Sequence, residues 1–270
     1  MKQQLNKIIE KIGYHIIKQG IYLVISLTSK DQVKSLIDKL SPFDVDKDLI
    51  RLGPNGDGGY LIPDDISGIK ACFSPGVDKI SGFEQDCINL GMKVYMADKS
   101  IDKPNLDIPT NQYNFIKKHI GCTNNLDFIT MDEWVNSFSF NENEDLLLQM
   151  DIEGGEYYSL INMSDSLLKR FRILVIEFHS LEDLWNPHFF NLAESVFNKI
   201  LQTHSCVHIH PNNHHGIHSK FGIEIPKIAE FTFLRNDRAN FEKKQVKFPN
   251  KLDFDNSNKR HVVLPENWYK

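Results

Sequence analysis

Three carboxylates crowd one short stretch of the chain: Asp151, Glu153 and Glu156, directly after the uncharged apolar run 146–150. Glu177 and His179 stand at the end of a second apolar run that begins at Ile173. Acids held close together raise one another's pKa, and a group poised near neutrality can take a proton from a hydroxyl. Asp151 and His179 are therefore candidate bases. Adjacent strand ends can also aim hard oxygen ligands at one point, which makes Asp151 and Glu177 candidate ligands for a divalent ion such as Mg. The plainer reading of the first stretch is a solvated strand-to-helix turn, with Glu156 in the first helical turn.

Two further positions suit a bound nucleotide. Ser74-Pro75-Gly76-Val77 ends an apolar run. A glycine there lets the backbone approach a ligand closely, and the next helix offers free N–H groups. Asp98 ends the following apolar run, about 20 residues on, where nucleotide folds hold ribose hydroxyls. His204, His208, His210, His214, His215 and His218 form a third cluster. Their spacing fits no closed zinc motif and no Cys pair accompanies them. A loop lining an acceptor pocket is the better reading, with His210 a further candidate for catalysis.

The elements that position these groups can be read from periodicity. Short apolar runs at 69–73, 93–97, 113–120, 146–150 and 173–178 read as strands. Helical patterns fall at 82–90 and 182–201. Strands alternating with helices predict a parallel α/β sheet whose ligands sit at the carboxyl ends of its strands. Two late strands, 206–209 and 229–234, lack a crossover helix between them and read as an antiparallel edge. Before all this, Leu5, Ile8, Ile9, Ile12, Ile16 and Ile17 recur at helical spacing, and Ser29 or Asp31 caps a second helix ending near Pro42. Residues 1–45 therefore read as a helical arm that packs on the domain or pairs two copies of the chain. Residues 46–270 read as the main domain, its polar end either a disordered tail or an extended strap.

Composition narrows the classes. The chain has 270 residues, with 31 basic against 36 acidic side chains and a net charge of −5. That is an ordinary globular balance, with no basic excess for nucleic acid. The four cysteines are scattered and read as reduced thiols. No apolar run reaches the roughly 20 residues of a spanning helix, and no leader is read. The expected location is the cytoplasm.

Several segments resemble FkbM-type S-adenosylmethionine-dependent methyltransferases. The run Leu147-Leu148-Gln149-Met150-Asp151-Ile152-Glu153-Gly154-Gly155-Glu156 is similar to that family's K-I-D-[IV]-E-G-x-E hallmark. Segments 51–60, 73–77 with Phe83-Glu84, 176–179, 208–213 and 249–253 are similar to motifs of one branch. The resemblance spans residues 50–264 and favours a strap at the end of the chain. The first loop carries Pro75 and lacks the fuller glycine pattern. The second strand ends Ala97-Asp98-Lys99, where many relatives have Glu or Asp-Pro. The resemblance implies a Rossmann-like class I methyltransferase fold, a seven-stranded, mostly parallel sheet with an antiparallel last strand. S-adenosyl-L-methionine would be held by Ser74, Gly76, Val77 and Asp151 at its methionine end. Asp98 and Lys99 would take the ribose, and Ile120 and Gly121 would flank the adenine. Asn55, Asp57, Tyr60, Glu153 and Asn212 would contact the acceptor, a sugar of a surface polysaccharide or a secondary metabolite. The alternative is an inactive scaffold on the same fold. A nucleotide-dependent oxidoreductase is disfavoured, because no G-x-G-x-x-G follows the first strand.

Overall fold

The computed structural model describes residues 27–77, 80–106, 108–109, 111–242 and 247–270. The predicted helix carrying Leu5 to Ile17 lies outside the described residues. Helix α1 (Lys30–Leu40) opens on a capping box. The Ser29 Oγ accepts from the Gln32 N–H, and the Gln32 side chain accepts from the Ser29 N–H. It buries Val33, Leu36, Ile37 and Leu40 in the same apolar layer as Phe73 and Phe197. Fully burying such side chains stabilises by about 1.5–3 kcal/mol each, which fixes this helix on the main domain.

The chain then passes through β1 (Asp44–Val45) to a hairpin of β2 (Leu49–Leu52) and β3 (Tyr60–Pro63). The alternating part begins with β4 (Ala71–Pro75), α2 (Gly82–Asn89), β5 (Lys93–Ala97) and β6 (Tyr113–Ile116). A small parallel pair, β7 (His119–Gly121) and β8 (Phe128–Thr130), leads to α3 (Met131–Asn136). Next come β9 (Leu146–Met150), α4 (Glu156–Asn162), α5 (Asp165–Leu168) and β10 (Phe171–Phe178). They are followed by α6 (Pro187–Leu201) and β11 (His204–Pro211). A hairpin of β12 (Ile217–Lys220) and β13 (Ile223–Pro226) precedes β14 (Ala229–Arg235), and β15 (Phe241–Glu242) pairs back onto β1.

Seven strands form one sheet in the order β11-β14-β10-β9-β4-β5-β6. All run parallel except β14, which is antiparallel to both of its neighbours. The architecture is α/β and Rossmann-like. The order reverses between β4 and β9, so their following loops emerge side by side at the place where such sheets bind ligands. β9 carries no charge because both faces are covered. Leu146 and Leu148 enter the layer beneath the α1 and α6 helices, while Leu147 enters the layer beneath the β2–β3 hairpin and α2.

Three expectations need correction. The run 113–120 is two strands, because an exposed turn at Lys117 and Lys118 separates them and the Lys118 N–H bonds back to the Ile116 carbonyl (3.0 Å). The run 182–201 is a 3₁₀ turn, Leu181–Trp185, and then α6. Asn186 caps α6, and Pro187 starts it where a missing N–H costs nothing. His218 sits in β12 rather than in a loop. The two late strands do pair antiparallel at the edge of the sheet, with β11 outermost and β14 between it and β10.

The terminal segment is a strap. Trp268 is buried and donates its indole N–H to the Glu224 carbonyl (2.9 Å). Cys72, Cys87 and Cys206 are buried thiols, and Cys122 is an exposed one. At the amino-terminal edge of the sheet, Arg172 is nearly buried. It donates to Asp145 (2.8 and 2.6 Å) and to the Asp65 and Ser67 carbonyls, while Arg235 holds the other Asp145 oxygen (2.6 Å). Among the described residues, no helix is long and apolar enough to cross a membrane.

Candidate active site

A cavity of about 380 Å³ opens at the order reversal, lined by Gly76, Asp98, Ser100, His119, Ile120, Phe128, Asp151 and Glu153 among others. A smaller hollow of about 60 Å³ adjoins it, sharing Gly76 and Asp151 and walled by Asp57, Tyr60, Val77, Glu84 and Gln149.

Gly76 is the hinge between the two loops. Its φ is +84°, and a Cβ there would fall 1.4 Å from the Asp151 carbonyl oxygen. No side chain can occupy that space, and L-residues avoid that φ. Asp98 ties the first loop to the second strand end. It accepts from the Val77 N–H (3.1 Å) and from the Ser100 N–H and hydroxyl (2.7 and 2.6 Å).

The turn after β9 has two residues at positive φ, Glu153 (57°) and Gly154 (98°). Glu156 holds it in that shape. Its fully buried Oε1 accepts from the Ile152 N–H (3.0 Å) and the Gly154 N–H (3.1 Å), and the His179 Nδ1 lies at 3.2 Å. With that oxygen as the acceptor, the proton of a neutral His179 sits on Nδ1, leaving Nε2 free to accept. Nε2 points at Glu153 (3.4 Å), Asp151 (3.9 Å) and Glu177 (4.0 Å). The Tyr157 hydroxyl anchors the same residue by donating to the His179 carbonyl (3.0 Å).

The electrostatics follow from burial and crowding. Burial alone would lower the His179 pKa, but the bond to Glu156 and the charges of Glu156, Asp151 and Glu153 raise it above the usual histidine value. Asp151 is pushed up to about 7 by burial and by Glu153, Glu156 and Asp57, against the pull of His179. One Asp151 oxygen is buried with no hydrogen-bond partner among the described residues. Burial and the neighbouring Asp151 and Glu230 raise Glu177. Glu177, Glu230 and His210 lie directly opposite one another across β10, β14 and β11. Like charges so placed are destabilising, which favours protonated acids there.

Gly76, Asp98, Ile120, Asp151 and Glu153 thus meet at one cavity, with Glu177 and His179 beside it. Asp57 and Tyr60 wall the smaller hollow. The other expected contacts lie elsewhere. Ser74 is buried beneath the floor, bonded to Glu84 (2.5 Å) and Gln149 (2.6 Å). Val77 faces the smaller hollow, and its N–H is taken by Asp98. Lys99 pairs with Asp127 on the surface. Gly121 packs against the Phe128 ring rather than lining the cavity. Asn55 is exposed and lines neither space. The Asn212 amide donates to Glu177 (2.9 Å). His210 is three strands from Asp151, beneath the strap and 3.7 Å from Asp253, too far to reach the same reacting atoms.

Sequence reasoning missed Glu156 as the organiser of the site, because a first-turn acid reads as a helix-dipole residue. It missed Glu230 as well. A lone acid inside the apolar strand run 229–234 was the available signal. His119 and Phe128 line the cavity from the β7–β8 pair, which periodicity did not reveal. No protein-family model and no curated protein matches this chain.

Proposed function

We propose that this chain is an S-adenosylmethionine-dependent O-methyltransferase acting on a hydroxyl of a small polar acceptor. One observation carries the reading. A single cavity at the order reversal presents Gly76, Asp98 and Ile120 and ends at Asp151, beside an imidazole oriented by a buried carboxylate. The sheet, with its one antiparallel strand formed last in the chain, agrees with the fold that the motif resemblance implies.

The cavity suits the cofactor chemically. Gly76 lets the first loop lie directly against the Asp151 carbonyl at the cavity wall, Asp98 offers a carboxylate for ribose hydroxyls, and Ile120 with the Phe128 ring offers apolar walls for a planar base. Its volume falls in the range of small-ligand sites, about 300–1,000 Å³. When bound, S-adenosylmethionine supplies a methyl group activated by its sulfonium. The chain has to align the acceptor and remove one proton. His179 Nε2 takes that proton. Glu156 fixes the ring through Nδ1, and the flanking Asp151 and Glu153 stabilise the imidazolium that results. The acid-lined hollow suits a polyhydroxylated acceptor, and sugars of surface polysaccharides or secondary metabolites are the class the resembled family uses.

Calorimetric titration of the full chain with S-adenosylhomocysteine tests this. We expect binding that weakens at least about tenfold in Asp98→Ala, since one charge-assisted hydrogen bond contributes about 1.5–3 kcal/mol. Absence of binding to the wild type would leave the inactive scaffold as the better description. A second reading of the chemistry rests on one further observation. Ligand atoms of Asp151, Glu177 and His179 all lie within 4.8 Å of one another, so a divalent ion could be held there and lower the pKa of an acceptor hydroxyl. Loss of methyl transfer on chelation, restored by Mg or Mn, would select that version; indifference to chelator selects the plain base.

A further inference from the structure

The histidine cluster of 204–218 divides by environment. His204 is buried, with Nε2 2.8 Å from the Phe171 carbonyl oxygen, and burial holds its pKa down to about 4. His208 donates to Asp253 of the strap (2.9 Å) and His210 lies beside it. His218 lies in β12, and His214 and His215 remain; the proposed chemistry uses none of the three.

The turn that carries them is built rather than loose. The buried Asn212 side chain donates to Glu177 (2.9 Å), and its Oδ1 accepts from the His214 N–H (2.9 Å). The turn therefore hangs directly from an acid of the site. The buried Asn213 amide donates to the Ser257 and Lys259 carbonyls (2.9 and 3.1 Å), and its oxygen accepts from the Ser257 N–H (2.9 Å). These bonds lock the strap against the same turn. Lys259 Nζ then donates to the His214 carbonyl (3.0 Å), and the two imidazoles stack with centroids 5.0 Å apart. His214, His215 and Lys259 are all exposed.

One lysine ammonium and two stacked imidazoles thus border an acidic interior. Burial and the field of His214, His179 and Lys259 hold His215 below the usual histidine value, with Glu153 opposing. The rim hangs from β11 and the strap; its turn reaches Glu177 through Asn212, and His215 lies in the field of His179 and Glu153, so the rim borders the acidic site.

We propose that His214, His215 and Lys259 bind an oxyanion carried by the acceptor, a phosphate ester or a carboxylate, while its hydroxyl enters the acidic site. This rests on the methyltransferase reading for the word acceptor, but not for the binding of the anion. Lysine supplies a point charge and the imidazoles supply directional donors, a combination that suits tetrahedral or planar oxyanions.

The test is titration of the full chain with inorganic pyrophosphate, glucuronate and neutral glucose in parallel. Pyrophosphate or glucuronate should bind where glucose does not, and whichever binds identifies the anion. The dissociation constant should rise about fivefold in His215→Ala and in Lys259→Ala, the upper range for an exposed charge contact. Lys251→Ala, an exposed strap residue outside the rim, should leave it unchanged. Absence of anion binding to the wild type, an unchanged constant in Lys259→Ala, or an equal loss in Lys251→Ala would overturn the proposal. S-adenosylhomocysteine titrated into the same samples reports separately on the methyltransferase reading, so failure of one is distinguishable from failure of the other.

Discussion

Glu156→Gln removes a charge while preserving an acceptor oxygen. The Ile152 and Gly154 N–H groups and His179 Nδ1 all converge on Glu156 Oε1 at 3.0, 3.1 and 3.2 Å. A hydrogen bond to a charged group contributes about 1.5–3 kcal/mol and a neutral one about 0.5–1.5, so each loses about 1 kcal/mol on substitution. The three together set a ceiling of about 3 kcal/mol. Relief of a fully buried charge offsets part of it, leaving an expected loss of about 1–2 kcal/mol in urea unfolding. The turn should survive, because the amide oxygen still accepts from the two N–H groups. Glu156→Ala is the harsher control. It leaves two buried N–H groups unpaired in a turn held at positive φ, and about 3–5 kcal/mol is expected.

The catalytic consequence is separate. Positioned proton transfer contributes about 10²–10⁴-fold, and a ring released by Glu156 should lose much of it. Turnover of the wild type should rise with pH through the raised His179 pKa, because the neutral ring is the base. In Glu156→Gln that limb should move to lower pH, since the bond to Glu156 is what raises the value. The sign for stability is opposite. A raised histidine stabilises the fold below its unfolded pKa, about 6.5, and the contribution disappears as pH rises through the folded value. The variant should lack that slope. A Glu156→Gln enzyme with wild-type turnover and an unmoved pH limb would refute the assignment of His179 as the base.

Gly76→Ala should weaken S-adenosylhomocysteine binding more than tenfold. The left-handed φ alone costs about 1–2 kcal/mol and the Asp151 carbonyl must also move, which calorimetry and a melting curve will separate. Asp253→Asn should release the strap, read as faster proteolysis near residue 250. Burial opposes ionisation of Asp253, but its bonds and charge contacts with His208 and His210 hold its pKa well below the carboxylate range. The wild type should therefore lose stability as pH falls below about 3.9, and the variant should not. Arg172→Met should cost about 3 kcal/mol in urea unfolding without changing cofactor affinity, because it leaves one Asp145 oxygen and the Asp65 and Ser67 carbonyls without their donor, far from the site.

How much of this was legible depended on which force set each feature. The buried strands β5 and β9 were readable to the residue, because two-sided burial demands an uninterrupted apolar run. The cavity's strand-end residues Gly76, Asp98 and Asp151, with His179 beside them, were readable too, since a residue closing such a run at this end has nowhere to go but the mouth of the sheet. The failures share a cause. Ser74, Val77 and Lys99 lie next to true cavity residues, but side chains alternate and loops turn, so a neighbour in sequence points under the floor or out to water. His210 looked catalytic because it sits among histidines, but reach across a sheet is set by strand order. The chain gives no local signal that β14 intervenes between β10 and β11.

The row of acids along one face of the sheet gives an argument that does not depend on any motif. A buried carboxylate is costly unless something donates to it. Most members of the row have such a donor: Ser74 pairs with Glu84, Asn212 donates to Glu177, and Asn256 donates to Glu230. The Asn256 amide also reaches Asp57, at 3.4 Å. Asp151 is different. It lines both the large cavity and the small hollow, and one of its oxygens is buried with no donor among the described residues. Gly76 lets the first loop close against the backbone carbonyl of Asp151, where a Cβ would fall 1.4 Å from the oxygen. The far oxygen of Glu156 is likewise bare among the described residues, but it lines neither space; the carboxylate left open where the two spaces meet is Asp151, and the chemical demand is there. A ligand group bearing a proton or a positive charge meets that demand, and it then lies within reach of His179, whose Nε2 stands 3.9 Å from the same carboxylate.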